Sequence, residues 1–265
     1  MAILALHSAA TGLSAMAQDI DVIAHNIANT NTTGFKSFRS NFEDLLYEEK
    51  QQPGVENAAG DQRPAGLFVG LGTRISNTQI NLSQGPAVPD DGDFSMMING
   101  SGFFQVIAGE KTLYTRAGNF FVNSEGEIVL GHGDGRRLEP SVTVPPDATD
   151  IAISVDGRIT GRVGSDPAFQ EFGQVEVANF TNANGLRPLG GNLYEETEAS
   201  GPAITGEPDQ GSFGSIRHKM LEGSNADPVN ELISLIKTQR HFEMNSQSIN
   251  AANEALQVIA RLGDG

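Results

Sequence analysis

The sequence predicts an α+β fold in which N- and C-terminal α-helices pair as a coiled coil, with a central all-β antiparallel domain and an extended connecting region between them. Apolar residues near both ends recur at steps of three and four, which is the coiled-coil period. Residues 65–210 instead show short apolar or alternating runs broken by Gly, Asp, Asn and Pro. The 31 glycines, three tyrosines and absence of tryptophan favour many turns and short strands over a large aromatic core.

The N-terminal helix is predicted over residues 3–28, because an apolar stripe there alternates between steps of three and four. The stripe consists of Leu6, Ala9, Leu13, Met16, Ile20, Ile23 and Ile27. A helix of this length would extend about 39 Å at 1.5 Å per residue. The polar run from Asn29 to Gly34 ends it, since Asn and Thr side chains compete for backbone hydrogen bonds and Gly accepts a positive φ.

The C-terminal helix is predicted to begin at Pro228, with Asp227 as its N-cap, and to end at Gly263. Its apolar positions are Val229, Leu232, Ile233, Ile236, Phe242, Ile249, Ala252, Leu256 and Ile259. The spacing slips once near residues 238–240, which predicts a coiled coil interrupted by a stutter. We expect the two helices to pack on each other and on copies of themselves. The patterning leaves one alternative open, in which they cover the β-sheet.

The central domain is predicted to be antiparallel because its apolar runs are short and separated by hairpin signals. The clearest runs are residues 103–109, 126–131, 150–155 and 173–180. The sequences Ser-Glu-Gly at 124–126 and Asp-Gly at 156–157 indicate turns in which glycine supplies a positive φ.

Charge and composition exclude several functional classes. The formal charge of −16, from 17 basic and 33 acidic residues, argues against binding a nucleic-acid backbone, which needs clustered Lys and Arg. The charge is zero over residues 1–40 and −2 over 226–265, so the middle carries −14 and is expected to stay in water. The chain has no cysteine, so disulfide and thiol chemistry are excluded. Neither membrane insertion nor a cleaved signal peptide is expected, because no apolar stretch approaches the ~20 residues of a membrane span and the N-terminus lacks a secretory pattern.

No catalytic, metal or cofactor site is predicted. The Gly-His-Gly-Asp-Gly run at 131–135 fits neither nucleotide-binding fingerprint, so a turn between strands is the favoured interpretation. Residues 89–93 cluster three carboxylates without the spacing of a calcium loop, which favours a solvated turn. The scattered histidines, with no pair four residues apart, are His7, His25, His132, His218 and His241.

Several short segments combine residue types in unusual ways. Residues 25–36 place Asn and Thr directly after the N-terminal helix, whereas 98–104 and 114–120 set aromatic residues beside glycines. Residues 221–225 lead towards a polar run at 238–246 on the C-terminal helix. The positions singled out in these segments are Asn26, Asn29, Thr32, Gly34, Phe35, Lys36, Asn99, Gly100, Gly102, Phe103, Tyr114, Arg116, Gly118, Ser224, Asn225, Gln239, Arg240 and Asn245.

These segments resemble, in order from end to end, the motifs of the rod and hook family of bacterial flagellar axial proteins. The family's N-N-x-A-N-x-x-T-x-G-[FY]-K pattern matches residues 25–36, with His25 in place of the first Asn. Its N-G-x-G-F-F and Y-T-R-x-G-x-F patterns match residues 99–104 and 114–120. Its E-x-S-N and T-Q-R-x-[FY]-x-x-N-S patterns match residues 222–225 and 238–246. The resemblance covers essentially the whole chain.

Within the family, the chain's length excludes the long hook protein and suits a rod protein. A rod-type segment at residues 41–60 and the run at 69–72 resemble members of the distal rod. The residues of the rod-type segment are Phe42, Leu45, Leu46, Tyr47, Pro53 and Gly54. The alternative is another rod protein of the same family, in the proximal rod. A secreted β-rich adhesin or binding module is less favoured, since the absence of Trp leaves little for an aromatic groove.

The resemblance implies a structural, non-enzymatic subunit of the distal rod that polymerises into a rigid helical tube, transmits motor torque to the hook and lines the export channel. It implies coiled-coil helices at 1–33 and 225–265, a connecting region at 34–85 and 211–224, and a β-rich outer domain at 86–210. Implied partners are copies of the chain itself, proximal rod proteins, the hook protein and the outer-membrane ring bushing. Implied localisation is the periplasm-spanning basal body, reached through the flagellar type III apparatus. The helix residues expected to pack between subunits are Leu6, Leu13, Met16, Ile20, Ile23, Ile27, Leu232, Ile236, Phe242, Ile249, Leu256 and Ile259.

Overall fold

A computed structural model describes residues 2–54, 65–109, 111–131, 134–164 and 168–263. It confirms the predicted order of an N-terminal helix, a β-rich middle and a C-terminal helix. The chain divides into two compact units. The first unit comprises Met1–Ile27, Phe38–Gln79 and Pro228–Gly265, and the second comprises Ala28–Ser37 and Ile80–Asp227.

The first unit contains both long helices. Helix α1 spans Ala2–Ala28 and helix α2 spans Pro228–Gly263, close to the bounds predicted from the sequence. The turn after α1 is closed by the Thr32 N–H, which donates to the Asn29 carbonyl at 3.2 Å. In the described residues, no helix is long and apolar enough to cross a membrane.

Four strands in the part of the chain predicted as an extended connection form two separate pairs. They are β1 (Phe38–Asp44), β2 (Tyr47–Gln51), β3 (Leu67–Gly70) and β4 (Thr73–Ile80). Strand β1 pairs with β4, and β2 pairs antiparallel with β3. The connection is therefore built from paired strands, which satisfies its backbone groups.

The second unit consists mainly of short antiparallel strands. They are β5 (Ala87–Pro89), β6 (Met96–Asn99), β7 (Phe103–Ala108), β8 (Lys111–Thr115), β9 (Phe120–Val122), β10 (Ile128–Leu130), β11 (Arg137–Glu139), β12 (Ala148–Ile153), β13 (Arg158–Val163), β14 (Phe169–Gln174), β15 (Val177–Asn179), β16 (Arg187–Gly190), β17 (Leu193–Glu195), β18 (Ile204–Gly206), β19 (Ser215–His218) and β20 (Met220–Glu222).

Among the described strands, the largest sheet runs in the order β16-β17-β8-β7-β11-β10-β9, and β15 joins it by pairing with both β7 and β18. Strands β12, β13 and β14 form a separate sheet, while β19 pairs with β6 and β20 with β5. The core lies where these sheets meet. Its fully buried side chains include Met96, Ile98, Phe104, Val106, Phe120, Ile128, Leu130, Leu138, Ile159 and Ile216.

The two predicted hairpin turns are confirmed. The first joins β9 to β10, with Gly126 at φ +82°, and the second joins β12 to β13, with Gly157 at φ +83°. The carboxylate cluster at residues 89–93 forms a turn in which Asp90 Oδ2 accepts from the Gly92 N–H at 3.1 Å and from the Ser95 hydroxyl. His132 and Gly133, from the predicted glycine-rich turn, lie outside the described residues.

An aromatic cluster packs beside the large sheet in edge-to-face contacts. Phe103 lies 5.9 Å from Phe180 and 5.8 Å from Tyr194, and Tyr114 lies 4.8 Å from Phe180 between ring centroids. Such geometry sets the positive edge of one ring against the negative face of another. Burial raises the pKa of both Tyr114 and Tyr194 to about 12, because the phenolate would lose its hydration.

We predict that the Tyr194 phenol contributes to stability below pH 10 and that this contribution is lost between pH 10.0 and about 12. In that window the unfolded chain ionises first, because the folded-state pKa is the higher one. Urea unfolding across this range should show a decline that is smaller in Tyr194→Phe by about 2–3 kcal/mol. The matched control is Tyr47→Phe. The hydrogen bond to Asp44 also raises the pKa of Tyr47, but this tyrosine is exposed and solvent weakens the effect, so most of the decline should remain. Equal declines in Tyr194→Phe and the parent chain would contradict the assignment.

Candidate functional site: a buried charge cluster and the terminal helices

Three charged side chains meet inside the second unit and form what we call the charge cluster: Lys36, Arg116 and Glu222. The side chains of Lys36 and Glu222 are completely buried, and that of Arg116 is 6% exposed. Lys36 Nζ donates to Glu222 Oε1 at 2.6 Å, and Arg116 Nη1 donates to Glu222 Oε2 at 3.4 Å. One carboxylate therefore serves two cations away from water.

Different segments of the chain supply each member. Lys36 follows the turn after α1, Arg116 follows β8, and Glu222 is the last residue of β20. Backbone groups complete the cluster, because Lys36 Nζ also donates to the Ser83 carbonyl at 2.8 Å and Glu222 Oε1 accepts from the Gly85 N–H at 2.9 Å. These bonds replace the hydration that the charges lose on burial.

The cluster contains two cations and one anion, so it carries a net positive charge when all three groups are ionised. Burial lowers the pKa of Lys36, the nearby Arg116 lowers it further, and Glu222 opposes both effects. Burial also lowers the pKa of Arg116, again against the attraction of Glu222. Removing Glu222 would leave two buried cations without a counter-charge, which is far more costly than breaking a surface pair.

Arg116 has additional contacts that hold its guanidinium in place. Nη2 donates to the Gly100 carbonyl at 2.8 Å, and the guanidinium carbon lies 5.3 Å from the centroid of the Phe103 ring. The ring face attracts the cation electrostatically. Arg116 Nε is buried without a hydrogen-bond partner in the described residues. These contacts attach the segment at 98–104 to the segment at 114–120.

Asn225 joins the same region through its side-chain amide. Its Oδ1 accepts from the Ser37 N–H at 2.7 Å, and its Nδ2 donates to the carbonyls of Asn81 at 2.7 Å and Ser83 at 3.0 Å. The neighbouring Ser224 is buried, and its hydroxyl accepts from the Ala226 N–H at 3.2 Å. One amide thus bonds to two backbone stretches, at Ser37 and at residues 81–83, that also hydrogen-bond to each other.

Glycines allow the segments to approach this closely. The Gly34 N–H donates to the Glu222 carbonyl at 2.7 Å, and Gly34 has φ +72°. A Cβ at Gly34 would lie 2.5 Å from the Ala117 backbone nitrogen, and one at Gly118 would lie 1.6 Å from the Met96 carbonyl oxygen. A side chain at either position would collide with backbone, which cannot move aside as a side-chain tip can.

The structure brings together motif segments that the sequence presented separately. Residues 34–36, 99–103, 116–118 and 222–225 all contribute to the charge cluster or its immediate supports. Sequence reasoning missed the fifth contributor, the backbone of residues 81–85, because backbone carbonyls and N–H groups leave no residue-type signature. The one signal in the sequence that could have pointed to this stretch is its mostly polar run, Asn-Leu-Ser-Gln-Gly.

The remaining motif positions have local roles. Gly100 and Gly102 have φ +113° and +134°. Thr32 Oγ1 donates to Asn29 Oδ1 at 3.1 Å in the turn after α1. The Tyr114 hydroxyl donates to Glu196 Oε2 at 3.4 Å, and Asn99 ends β6 opposite Ser215. Phe35 is buried, whereas Gln239 and Arg240 lie exposed on α2 and are not brought to the charge cluster.

Asn26 connects α1 to the strand that follows it in the first unit. Its Nδ2 donates to the Phe38 carbonyl at 2.8 Å, while its Oδ1 accepts from the Phe38 N–H at 2.9 Å. The amide therefore pairs with the first residue of β1 as a neighbouring strand would. The same Nδ2 lies 3.3 Å from Glu231 Oε1 of α2.

The predicted packing residues differ in how far the single chain covers them. On α1, Ile23 is buried, and Leu6, Leu13, Met16, Ile20 and Ile27 are half-buried. On α2, Leu232 and Ile236 are 49% and 52% exposed, Phe242 is 37% exposed, and Ile249 and Leu256 are half-buried. The side chain of Ile259 lies outside the described residues. Large apolar surface thus remains uncovered on α2.

The rod-type segment is also exposed where it is described. Phe42, Leu46 and Tyr47 are 43%, 82% and 59% exposed, and Leu45 is half-buried with its N–H donating to the Gly72 carbonyl at 2.9 Å. The segment contains the end of β1 and strand β2, which pairs with β3 in the β2–β3 hairpin, and Pro53 and Gly54 are exposed beyond β2. Residues 55–60 lie outside the described residues.

The hairpin base is held against α1 within the first unit. Ser8 Oγ donates to the Gly70 carbonyl at 3.3 Å, and the Thr73 N–H donates to Thr11 Oγ1 at 3.4 Å. Gly72 has φ +117°, and a Cβ there would lie 2.0 Å from Thr11 Oγ1. The absence of a side chain at Gly72 allows this close approach.

Three family models match successive parts of the chain. Residues 6–36 match "Flagella basal body rod protein", residues 97–161 match "Flagellar hook protein FlgE/F/G D1 domain", and residues 217–262 match "Flagellar basal body rod FlgEFG protein C-terminal". Together these matches span more than half of the chain.

Curated relatives match over nearly the full length. The chain is 42% identical to the flagellar basal-body rod protein FlgG of Agrobacterium fabrum, covering 97% of this chain and 98% of the relative. It is 40% identical to FlgG of Caulobacter vibrioides, covering 97% and 98%, and 30% identical to FlgF of the same organism, covering 93% and 92%. A solved structure of the Helicobacter pylori flagellar hook protein FlgE2 aligns at 19% identity over 70% of this chain and 43% of that one, with a TM-score of 0.25.

We predict that Glu222→Gln destabilises the chain by about 3–5 kcal/mol, because it leaves Lys36 and Arg116 buried without a counter-charge. The matched control is Glu195→Gln, which removes ion pairs to the exposed Lys111 and Arg187 and should cost far less, because solvent weakens those pairs. Urea unfolding provides the measurement, since urea does not screen charges. Similar losses in the two variants would show that the buried carboxylate has no special role.

We predict that Gly34→Ala destabilises the chain more than Gly201→Ala does. The two glycines have matched φ values of +72° and +75°, so alanine meets the same backbone strain of about 1–2 kcal/mol at each. Only Gly34 has backbone within reach of the new Cβ, whereas Gly201 has no atom within 4 Å of it. The difference in urea midpoint therefore isolates the close approach to Ala117. Equal midpoints would refute it.

Proposed function

Because the chain belongs to the FlgG family of flagellar basal-body rod proteins, we propose that it is a structural subunit of the distal rod. In this role it polymerises into a rigid helical tube that transmits motor torque to the hook and lines the export channel. The role is mechanical and not enzymatic. Its requirements are a rigid subunit and surfaces that bind further copies.

The apolar face of α2 carries the proposal. Leu232, Ile233 and Ile236 lie close together near the start of α2, which begins at Pro228. Their side chains are 46–52% exposed in the single chain. Covering such side chains stabilises an assembly by roughly 1.5–3 kcal/mol each when burial is complete. Because these side chains are already about half covered, a subunit gains roughly half of that energy by binding another copy.

The terminal helices supply the proposed assembly contacts. We assign residues 1–33 and 225–265 to a coiled coil in the inner tube, residues 34–85 and 211–224 to the connecting region, and residues 86–210 to the outer domain. Contacts between unlike faces of identical subunits generate a helical filament when the rotation does not close. The exposed β2–β3 hairpin, with Leu46 and Tyr47, is proposed to brace neighbouring subunits.

The proposed partners follow from a position at the end of the rod. They are further copies of the chain, the proximal rod proteins, the hook protein and the outer-membrane ring bushing. The proposed location is the periplasm-spanning basal body, with export through the flagellar type III apparatus. The acidic middle of the chain, which carries −14, suits an outer face that remains hydrated.

A proximal rod protein is the second candidate, and one comparison weighs against it. Within Caulobacter vibrioides, the chain is 40% identical to FlgG and 30% identical to FlgF. The higher identity also extends over a larger share of both chains. We therefore favour the FlgG role over that of another rod protein of the same family.

We predict that cells lacking the gene have a truncated rod, no hook and no swimming. Electron cryotomography of basal bodies beside a swimming assay makes the measurement. A complete rod that lacks only the hook would place the protein one segment further outward. Normal motility with intact flagella would overturn the flagellar role for this copy of the gene.

Complementation of the same strain tests the α2 face. Ile236→Asp should fail to restore the rod while leaving the urea midpoint of the purified chain nearly unchanged, since the side chain is already exposed. The control is Gln247→Asp, at an exposed polar position of the same helix, which should restore swimming. Restoration by both variants would show that this face is not an assembly contact.

A further inference from the structure

Contacts between α1 and α2 recur every seven residues on both helices. Thr238 Oγ1 donates to Asp19 Oδ2 at 2.9 Å, and Asn26 Nδ2 donates to Glu231 Oε1 at 3.3 Å. The third pair, seven residues further along each helix, is Gly12 and Asn245, where a Cβ on Gly12 would lie 2.9 Å from Asn245 Nδ2. Residue numbers rise by seven along α1 as they fall by seven along α2, so the helices run antiparallel. We call these three contacts the polar ladder.

The polar ladder lies on the least exposed face of each helix. On α1, Gly12 and Asn26 are buried and Asp19 is half-buried, with Ala9, Met16 and Ile23 between them at the same spacing. On α2, Thr238 is buried and Glu231, Asn245, Ile249, Ala252 and Leu256 are half-buried, whereas His241 and Phe242, between Thr238 and Asn245, are exposed. The stutter near 238–240 stays a prediction, and polar residues occupy positions on this face that the apolar pattern skips.

A slide of seven residues in one direction would oppose two carboxylates. It would place Asp19 level with Glu231, and Gly12 level with Thr238. Two acidic side chains at one level repel each other, and the Thr238 hydroxyl would lose the carboxylate that accepts its hydrogen bond. Both effects disfavour this register.

A slide of seven residues in the other direction would crowd the Asn245 amide and unpair Glu231. It would place Asp19 level with Asn245, where glycine now stands. A Cβ at that level lies 2.9 Å from Asn245 Nδ2, so the amide would have to turn aside to make room for an Asp side chain. Glu231 would also lose Asn26.

We infer that the polar ladder specifies the register of the terminal helix pair. Polar residues on a helix seam commonly trade stability for a single register. Here the ladder occupies the covered seam, while Leu232, Ile233 and Ile236 stay on a face that is 46–52% exposed. The inference rests on the proposed function for its consequence, which is that every subunit presents the same apolar face to its neighbours.

The test uses the full chain, which contains no cysteine, so engineered pairs report without background. Met16→Cys is combined with His241→Cys to report the observed register. It is combined with Ser234→Cys or Ser248→Cys to report a slide of seven residues in either direction. After mild oxidation of the purified chain, only the pair with His241→Cys should form an internal disulfide on a non-reducing gel.

Replacing the two acidic residues, Asp19 and Glu231, should allow the helices to slide by seven residues in one direction but not in the other. In the background Asp19→Leu with Glu231→Leu, the Ser234→Cys pair should gain a disulfide. The Ser248→Cys pair should still form none, because the leucine at position 19 would then stand level with the polar Asn245 amide. The control background is Gln18→Leu with Gln239→Leu, two exposed polar positions, in which only the His241→Cys pair should react.

Several results would overturn the inference. These are disulfides in a slid register of the unmodified background, no disulfide in any register, or an acidic-pair variant that reacts only through His241→Cys. Rod formation is scored separately by cryotomography of complemented cells. Absent rods with the expected disulfide pattern would count against the proposed function and leave the register assignment standing.

Discussion

The neutralisation of two buried cations by the Glu222 carboxylate is the interaction on which the second unit depends. Lys36 and Arg116 come from segments that are remote in sequence, and neither has another acidic side chain in the described contacts. Charge burial of this kind does little for net stability when it is complete, but it strongly penalises any arrangement that leaves one member unpaired. The cluster therefore selects one arrangement of the three segments, and the close approach at Gly34 and the amide of Asn225 support the same arrangement.

The local structure of the chain could be predicted well from its sequence, because its signals are local. The steps of three and four located both helices, Pro228 marked the start of α2, and Gly126 and Gly157 marked hairpin turns. The pairing of distant segments could not be predicted in this way. Lys36 and Glu222 are individually ordinary residues, and their 2.6 Å contact depends on the whole topology. The supports from Ser83 and Gly85 are backbone groups, which no residue pattern can mark.

The terminal helices show how hydrophobic periodicity can mislead about a helix face. The apolar pattern of α2 suggested an interruption, yet its covered face continues through Glu231, Thr238 and Asn245. The large apolar residues that defined the pattern, such as Leu232 and Ile236, remain about half exposed. The stronger hydrophobic signal on α2 therefore belongs to the face that its own chain leaves exposed.

The separation of 186 positions between Lys36 and Glu222 also governs when the chain can fold. During synthesis, Lys36 leaves the ribosome long before its counter-charge exists. Arg116 also emerges before Glu222 has been added to the chain. Contacts of such high sequence separation form slowly, because a long loop must close before any favourable energy is gained. The nascent chain therefore has no completed charge cluster until most of its length has been made.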